Sequence, residues 1–109
     1  MSIEQLGVID AVGVEDSSGN VVLTISDHLE WGNNNHLLML QEKLNTYLSF
    51  VESGEIMDTL TDAEGRNILI NVVCKYPPDE NGIDFLDKIT HIVEGAGMSF
   101  QYQLFNPAK

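Results

Sequence analysis

The chain has 109 residues, of which 17 are acidic and 5 basic, and its formal net charge at pH 7 is −12. This length predicts one domain over residues 1–109 and argues against a multidomain enzyme. The negative charge argues against sequence-independent binding to nucleic acid or to an anionic membrane surface, because both would repel the protein.

Two apolar segments near the start of the chain predict a β-hairpin. Residues 6–16 and 21–27 are rich in valine and isoleucine, and Ser17-Ser18-Gly19-Asn20 between them is a strong turn sequence. The alternation along the second segment predicts a strand with one buried face.

A long helix is predicted after the asparagines at 33–35, because asparagine accepts hydrogen bonds from the free N–H groups of a first helical turn. It runs to about Glu52, and Gly54 is the natural stop because glycine adopts the left-handed conformation that follows many helices. The acidic residues 55–66 are predicted to be irregular. An apolar stripe at spacings of three and four marks the buried side of the helix: Leu37, Leu40, Leu44, Tyr47, Leu48 and Val51.

The second half of the chain predicts a strand, a helix and a last strand. The strand covers residues 67–76 and ends before two prolines, which cannot donate ladder hydrogen bonds. Asp79 or Asn81 caps the helix, which ends at the two glycines before the last strand, residues 98–104. The buried helix side is predicted to carry Ile83, Leu86, Ile89, Thr90 and Val93. In the last strand, Met98, Phe100, Tyr102 and Leu104 alternate with Ser99, Gln101 and Gln103.

These elements predict an α+β fold. The order β-β-α-β-α-β indicates a two-layer sandwich, in which a mixed four-stranded sheet carries two helices on one face. Residues 67–105 form a strand–helix–strand unit, for which a right-handed parallel crossover is expected.

No sequence motif specifies a reaction or a cofactor. Gly95-Ala96-Gly97 follows a helix, whereas a phosphate-binding glycine loop follows a strand. Cys74 shares the strand phase of Ile70 and Val72, which predicts a buried and inert thiol. We therefore predict no cofactor and no enzymatic activity.

Two histidines bracket the loop before the long helix. His28 and His36 lie near Asp27 and Glu30, and imidazole and carboxylate groups are suitable ligands for transition metals. Their spacing matches no known ligand pattern, so the prediction is two exposed loop histidines and no metal site.

The charge distribution points to a binding surface. Residues 1–42 contain seven carboxylates and no lysine or arginine, and residues 52–64 contain five more carboxylates, again with no basic residue. Surfaces of one sign steer partners of opposite charge, although a solvated surface that maintains solubility is the alternative.

Trp31 either plugs the end of the core or is an exposed anchor in an acidic rim. The candidate interface residues are Asp27, His28, Glu30, Trp31, His36, Glu52, Glu55, Asp58, Asp62 and Glu64.

Three segments carry a family resemblance: VVLTISDHLEW (21–31), LLMLQEKLNTYLSFVESGEI (37–56) and VVCKYPPDENGIDFLDK (72–88). Together they resemble a family of small acidic bacterial proteins of unknown function. The resemblance covers most of the chain, implies a bacterial cytoplasmic protein with one compact domain, and supplies no catalytic residues. Size and acidity are also similar to those of immunity proteins that neutralise toxins.

The first ten residues have neither the basic segment nor the long apolar segment of a signal peptide, and no apolar run is long enough to span a membrane, so a cytoplasmic location is expected. A homodimer through an exposed sheet edge or through Trp31 stays open.

Three functional hypotheses follow. The first is a non-enzymatic module that binds a basic protein, such as a toxin or nuclease, through residues 27–36 and 52–64. The second is a sensor or regulatory domain with a small molecule held between the helices and one sheet edge. The third, a small hydrolase or transferase that uses His28 and His36, has the least support.

Overall fold

The computed structural model of the protein describes Ile9 and residues 11–105, except for the side chain of Asp62. Within these residues the chain forms four strands and three α-helices. The strands are β1 (Ala11–Val14), β2 (Val21–Asp27), β3 (Ile68–Cys74) and β4 (Ser99–Leu104), and the helices are α1 (Asn34–Glu52), α2 (Glu55–Thr59) and α3 (Glu80–Gly95), with a 3₁₀ turn at Thr61–Ala63. The predicted α+β fold and the order of its main elements are confirmed.

The strands form one open sheet in the order β1-β2-β3-β4. β1 pairs antiparallel with β2, whereas β2, β3 and β4 run parallel. The two crossovers, through α1 and α3, step in the same direction across the sheet. Right-handed connections of this kind place both helices on the same face, which is the predicted two-layer arrangement with a mixed sheet.

The core lies between the sheet and these two helices. Leu23, Ile70 and Phe100 occupy one row across the three parallel strands, and they are buried together with Leu40 of α1 and Leu86 of α3. The opposite sheet face is more polar: its exposed residues include Ser26, Gln101 and Gln103.

The helix ends follow the predicted capping chemistry. The Asn33 side chain accepts a hydrogen bond from the Asn35 amide at 2.8 Å, and the Asp79 side chain accepts one from the Gly82 amide at 2.8 Å. Gly54 follows α1 with a φ of 88°, a left-handed conformation that residues with a Cβ rarely adopt. The predicted caps and the predicted stop of α1 are therefore confirmed.

The segment predicted to be irregular, residues 55–66, is partly helical. It contains α2 and the 3₁₀ turn, and their Ile56 and Ala63 side chains are buried in the core. Each element is too short to show a helical period in the sequence, so burial against the rest of the core decides their conformation.

The extent of the first strand and the exposure of three apolar side chains differ from the pattern that the sequence predicts. The first predicted strand is confined to β1 in the described chain, and residues 6–8 and 10 of that prediction lie outside the described residues. Tyr102 and Leu104 are exposed although they share the core-facing phase of Phe100, because β4 is an edge strand. On α3, Ile83 is also exposed, and Gly82 is the buried residue of the first turn.

The packing of Trp31 explains why the first turn of α3 contains Gly82. Its indole N–H donates to the Tyr76 carbonyl at 3.0 Å, and its half-buried ring lies against Gly82. A Cβ at residue 82 would lie 2.6 Å from Cε3 of the Trp31 ring, far inside van der Waals contact. This packing agrees with Trp31 as a plug at the end of the core.

We predict that Gly82→Ala destabilises the protein. Alanine normally stabilises a helix relative to glycine by about 0.5–1 kcal/mol, but here the new methyl group must displace Trp31, at a cost of about 1–3 kcal/mol. Gly95→Ala in the same helix is the control, because a Cβ there meets no atom within 4 Å. Urea unfolding measures both variants, and equal stabilities would contradict the packing of Trp31 on α3.

Candidate functional site

Asp27 and His36 meet where β2 leaves the sheet. Asp27 is the last residue of β2, and its side chain is on the core-facing side with Leu23 and Ile25. His36 is in the first turn of α1, and its Nε2 lies 2.6 Å from Oδ2 of Asp27, with both side chains buried. The other carboxylate oxygen of Asp27 accepts a hydrogen bond from the Leu29 amide at 3.2 Å. The pair therefore links the end of β2, the loop after it and the start of α1.

Both ring nitrogens of His36 are engaged. Nδ1 lies 3.0 Å from the carbonyl oxygen of Glu30, which can only accept, so Nδ1 carries a proton. Nε2 faces the Asp27 carboxyl group, and the Trp31 ring packs on the imidazole with a centroid distance of 4.2 Å. In this arrangement neither nitrogen is available to take a proton from a third group.

The prediction of two exposed loop histidines is wrong for His36 and correct for His28. Asp27 and His36 were also candidate interface residues, and their burial removes them from the surface in the folded protein. The physical reason is that the carboxyl group and the imidazole satisfy each other, so that both can be buried. The alternation along β2 indicates the burial of Asp27, because this residue continues the buried phase of Val21, Leu23 and Ile25.

Cys74 is buried, as predicted, and is the register partner of Asp27 on the neighbouring strand. Burial and, to a lesser extent, the negative charge of Asp27 raise the pKa of the Cys74 thiol to about 12. A nucleophilic cysteine needs a lowered pKa or an adjacent free base. Cys74 has a raised pKa, and both nitrogens of the nearby His36 are engaged.

A groove of about 590 Å³ lies at the carboxyl ends of the parallel strands. Ser26 and Val73, which are register partners, form its floor on the sheet face opposite α1 and α3. It is lined by Ser26, Asp27, His28, Val73, Lys75 and Phe105. Ligands of open sheets bind outside the carboxyl ends of parallel strands. This groove is a different place from the one in the second hypothesis from the sequence, which holds a small molecule between the helices and one sheet edge.

Four candidate interface residues form an exposed acidic segment, which we define as Glu52, Glu55, Asp58 and Glu64. The side chain of Asp62 lies outside the described residues. In the described part of the chain, none of the four carboxylates forms an ion pair. The last turn of α1, α2 and the residue after the 3₁₀ turn present this segment, and the buried side chains of Ile56 and Ala63 hold α2 and the 3₁₀ turn on the core.

The other exposed candidates, His28 and Glu30, lie far from the acidic segment. They precede α1, whereas the acidic segment begins at its last residue. A helix of 19 residues is about 28 Å long at 1.5 Å per residue. The structure therefore places the predicted interface residues at opposite ends of α1, in two separate groups.

Among the described residues, no group of three or more histidine, cysteine, aspartate or glutamate side chains is arranged to hold a metal ion. No described helix combines the length and the apolar character needed to cross a membrane.

A family of unknown function (DUF6572) matches residues 1–106, nearly the whole chain. The protein belongs to this family. The match confirms the resemblance to a family of unknown function that the three sequence segments indicated. No curated protein and no solved structure matches the chain.

We predict strong energetic coupling between Asp27 and His36. His36→Ala leaves the buried Asp27 carboxylate without its partner, which costs about 3–5 kcal/mol. Asp27→Asn removes the charge, so His36→Ala should cost about 1–3 kcal/mol less in that background. Urea unfolding of the wild type, the two single variants and the double variant measures this difference. Additive effects would show that the two side chains are not coupled.

Proposed function

We propose that this protein is a non-enzymatic binding module that occludes a basic protein, in the manner of an immunity-type inhibitor of a toxin or nuclease. The observation that supports it is the acidic segment, whose four carboxylates are exposed and form no ion pair within the described chain. Such a surface attracts cationic partners at long range and accelerates their association.

The local structure supports a preorganised interface. The acidic segment is carried by the last turn of α1, by α2 and by the residue after the 3₁₀ turn. Ile56 and Ala63 pack these elements into the core, so little backbone order has to be created on binding. The proposed interface is narrower than the sequence suggested, because the loop with His28 and Glu30 lies at the opposite end of α1.

The exposed basic residues are few and lie outside this segment in the sequence. Among the described residues they are Arg66, Lys75 and Lys88. The Arg66 guanidinium donates to the Gly19 carbonyl at 2.9 Å, which ties it to the β-hairpin turn. The net charge of the acidic segment therefore remains negative. Dissolved salt screens the attraction between these carboxylates and a basic partner, so we expect binding to weaken as the salt concentration rises.

We predict that reversing charge in the acidic segment slows association with a basic partner about tenfold or more. The variant is Glu52→Lys/Glu55→Lys/Asp58→Lys. The control is Asp84→Lys/Asp87→Lys/Glu94→Lys, which makes the same change in net charge at exposed sites on α3. The partner is first captured from native lysate and identified by mass spectrometry, and association rates are then measured at low and physiological salt.

The first variant should bind more slowly and with a weaker salt dependence, and the control should stay closer to the wild type. Equal slowing in both variants would show that overall charge, and not this surface, determines binding. Failure to recover a basic partner at either salt concentration would contradict the proposal.

The groove favours a second candidate function, a regulatory domain that binds a small molecule. Val73 and Phe105 supply apolar surface, and Lys75 supplies an exposed cation in a strongly acidic chain. A few polar groups on an apolar wall are typical of small-molecule sites. This combination fits a small aromatic or aliphatic carboxylate, whose anionic group would contact Lys75.

We predict that a carboxylate of this class raises the melting temperature of the protein. A ligand present at a hundred times its Kd adds about 2.7 kcal/mol to the free energy of unfolding. Thermal-shift assays with a set of aromatic and aliphatic carboxylates provide the measurement. Lys75→Ala should abolish the shift and Lys88→Ala, an exposed lysine on α3, should retain it; no shift with any compound would contradict the groove as a binding site.

A further inference from the structure

Within the part of the chain that the structure describes, the outer edge of β4 has backbone hydrogen-bonding groups that pair with no other strand. The Phe105 amide donates to the Cys74 carbonyl at 2.7 Å, so the odd-numbered residues here direct their backbone groups toward β3. The alternation of a strand then directs the N–H and C=O groups of Phe100, Tyr102 and Leu104 away from β3. Within the described chain, β4 is the last strand of the sheet and no strand pairs with this edge.

This edge lacks the features that usually prevent strand pairing. Natural proteins protect exposed edges with charged side chains, prolines, bulges or very short strands. β4 has six residues, none of them charged or proline, and spans about 20 Å at 3.3 Å per residue. By contrast, the opposite edge strand β1 has four residues in the described part of the chain and is followed directly by Glu15 and Asp16.

The sequence that contains β4 and its two flanks is also uncharged. Residues 95–108 contain no aspartate, glutamate, lysine or arginine, and this is the longest such stretch in a chain with a net charge of −12. Large apolar side chains are exposed along it, since Tyr102, Leu104 and Phe105 are 41%, 53% and 58% exposed. An uncharged apolar edge is therefore present in a molecule whose other surfaces carry many carboxylates.

We propose that two copies of this chain pair their β4 strands antiparallel about a twofold axis. The pairing would join two four-stranded sheets into one sheet of eight strands. A second copy fits this edge because a strand is complementary to itself in the antiparallel sense, with each outward donor facing an acceptor. Charge favours the same occupant: two acidic chains repel at most surfaces and approach each other best where neither is charged.

The salt dependence separates this inference from the proposed function. Added salt screens the repulsion between the two acidic bodies, so dimerisation should strengthen with salt. Binding of a basic partner to the acidic segment should weaken under the same conditions. Each proposal can therefore fail without the other.

Sedimentation equilibrium of the full chain tests the dimer at low, physiological and high salt. The expected result is a species of twice the 12.1 kDa chain mass, whose dissociation constant decreases as salt increases. A monomer at every salt and protein concentration would overturn the inference, as would a dimer that salt dissociates.

A matched pair of leucine variants tests the surface. Leu104→Lys places a charge on the β4 edge, and the twofold axis brings a second copy of that charge to the same interface. Leu38→Lys on α1 introduces the same residue at a similarly exposed leucine, 58% against 53%. Leu104→Lys should raise the dissociation constant at least about tenfold, which corresponds to 1.4 kcal/mol, and Leu38→Lys should leave it unchanged. Equal effects of the two variants would overturn the assignment to β4.

Hydrogen–deuterium exchange of the wild type tests the same edge without mutation. The amides of Phe100, Tyr102 and Leu104 should exchange more slowly as the protein concentration rises, because pairing protects them. Protection that is independent of concentration would indicate that another part of the same chain covers the edge. That result, or concentration-dependent protection elsewhere only, would overturn the inference.

Discussion

Asp27 and His36 form a buried hydrogen-bonded pair where β2 ends and α1 begins its return over the sheet. Either group alone would be costly to bury, and together they satisfy each other. The same imidazole is held by the Glu30 carbonyl and covered by Trp31, whose indole reaches the Tyr76 carbonyl after β3. These contacts together connect the first crossover to the second and hold the first turn of α1 against the end of β2.

This arrangement also explains the chemistry at the carboxyl end of the sheet. Both ring nitrogens of His36 contact other groups of the protein, Glu30 and Asp27. The Cys74 thiol next to Asp27 has a raised pKa. At the carboxyl end of the sheet, the polar side chains on the core-facing side therefore already have hydrogen-bond partners. The groove on the opposite face has Lys75 and Phe105 at its surface, which is why a ligand is proposed there and not between the helices.

The surface is divided by charge. The acidic segment gathers carboxylates at the end of α1 and around α2, whereas β4 and its flanks contain no charged residue. The two surfaces suit different partners, since opposite charge favours association at the first and the absence of repulsion favours self-association at the second. A protein could use both at once, because the acidic segment and β4 belong to different elements.

The sequence alone determined the fold class, the order of the main elements and most helix ends. Period-two and period-3.6 patterns are long in β2, α1, β3 and α3, and asparagine, aspartate and glycine caps act through local chemistry that is visible in the sequence. The burial of Cys74 was predictable for the same reason, because it continues the phase of Ile70 and Val72.

Only the tertiary structure decided which partner accompanies the buried Asp27 and which surfaces come together. Asp27 and His36 are nine residues apart, and their pairing depends on the angle at which α1 leaves the sheet. Ile56 and Ala63 order α2 and the 3₁₀ turn through contacts with a core that no short local pattern specifies. The groove and the open β4 edge result from strand order and register, and these are set by packing between segments that are distant in the chain.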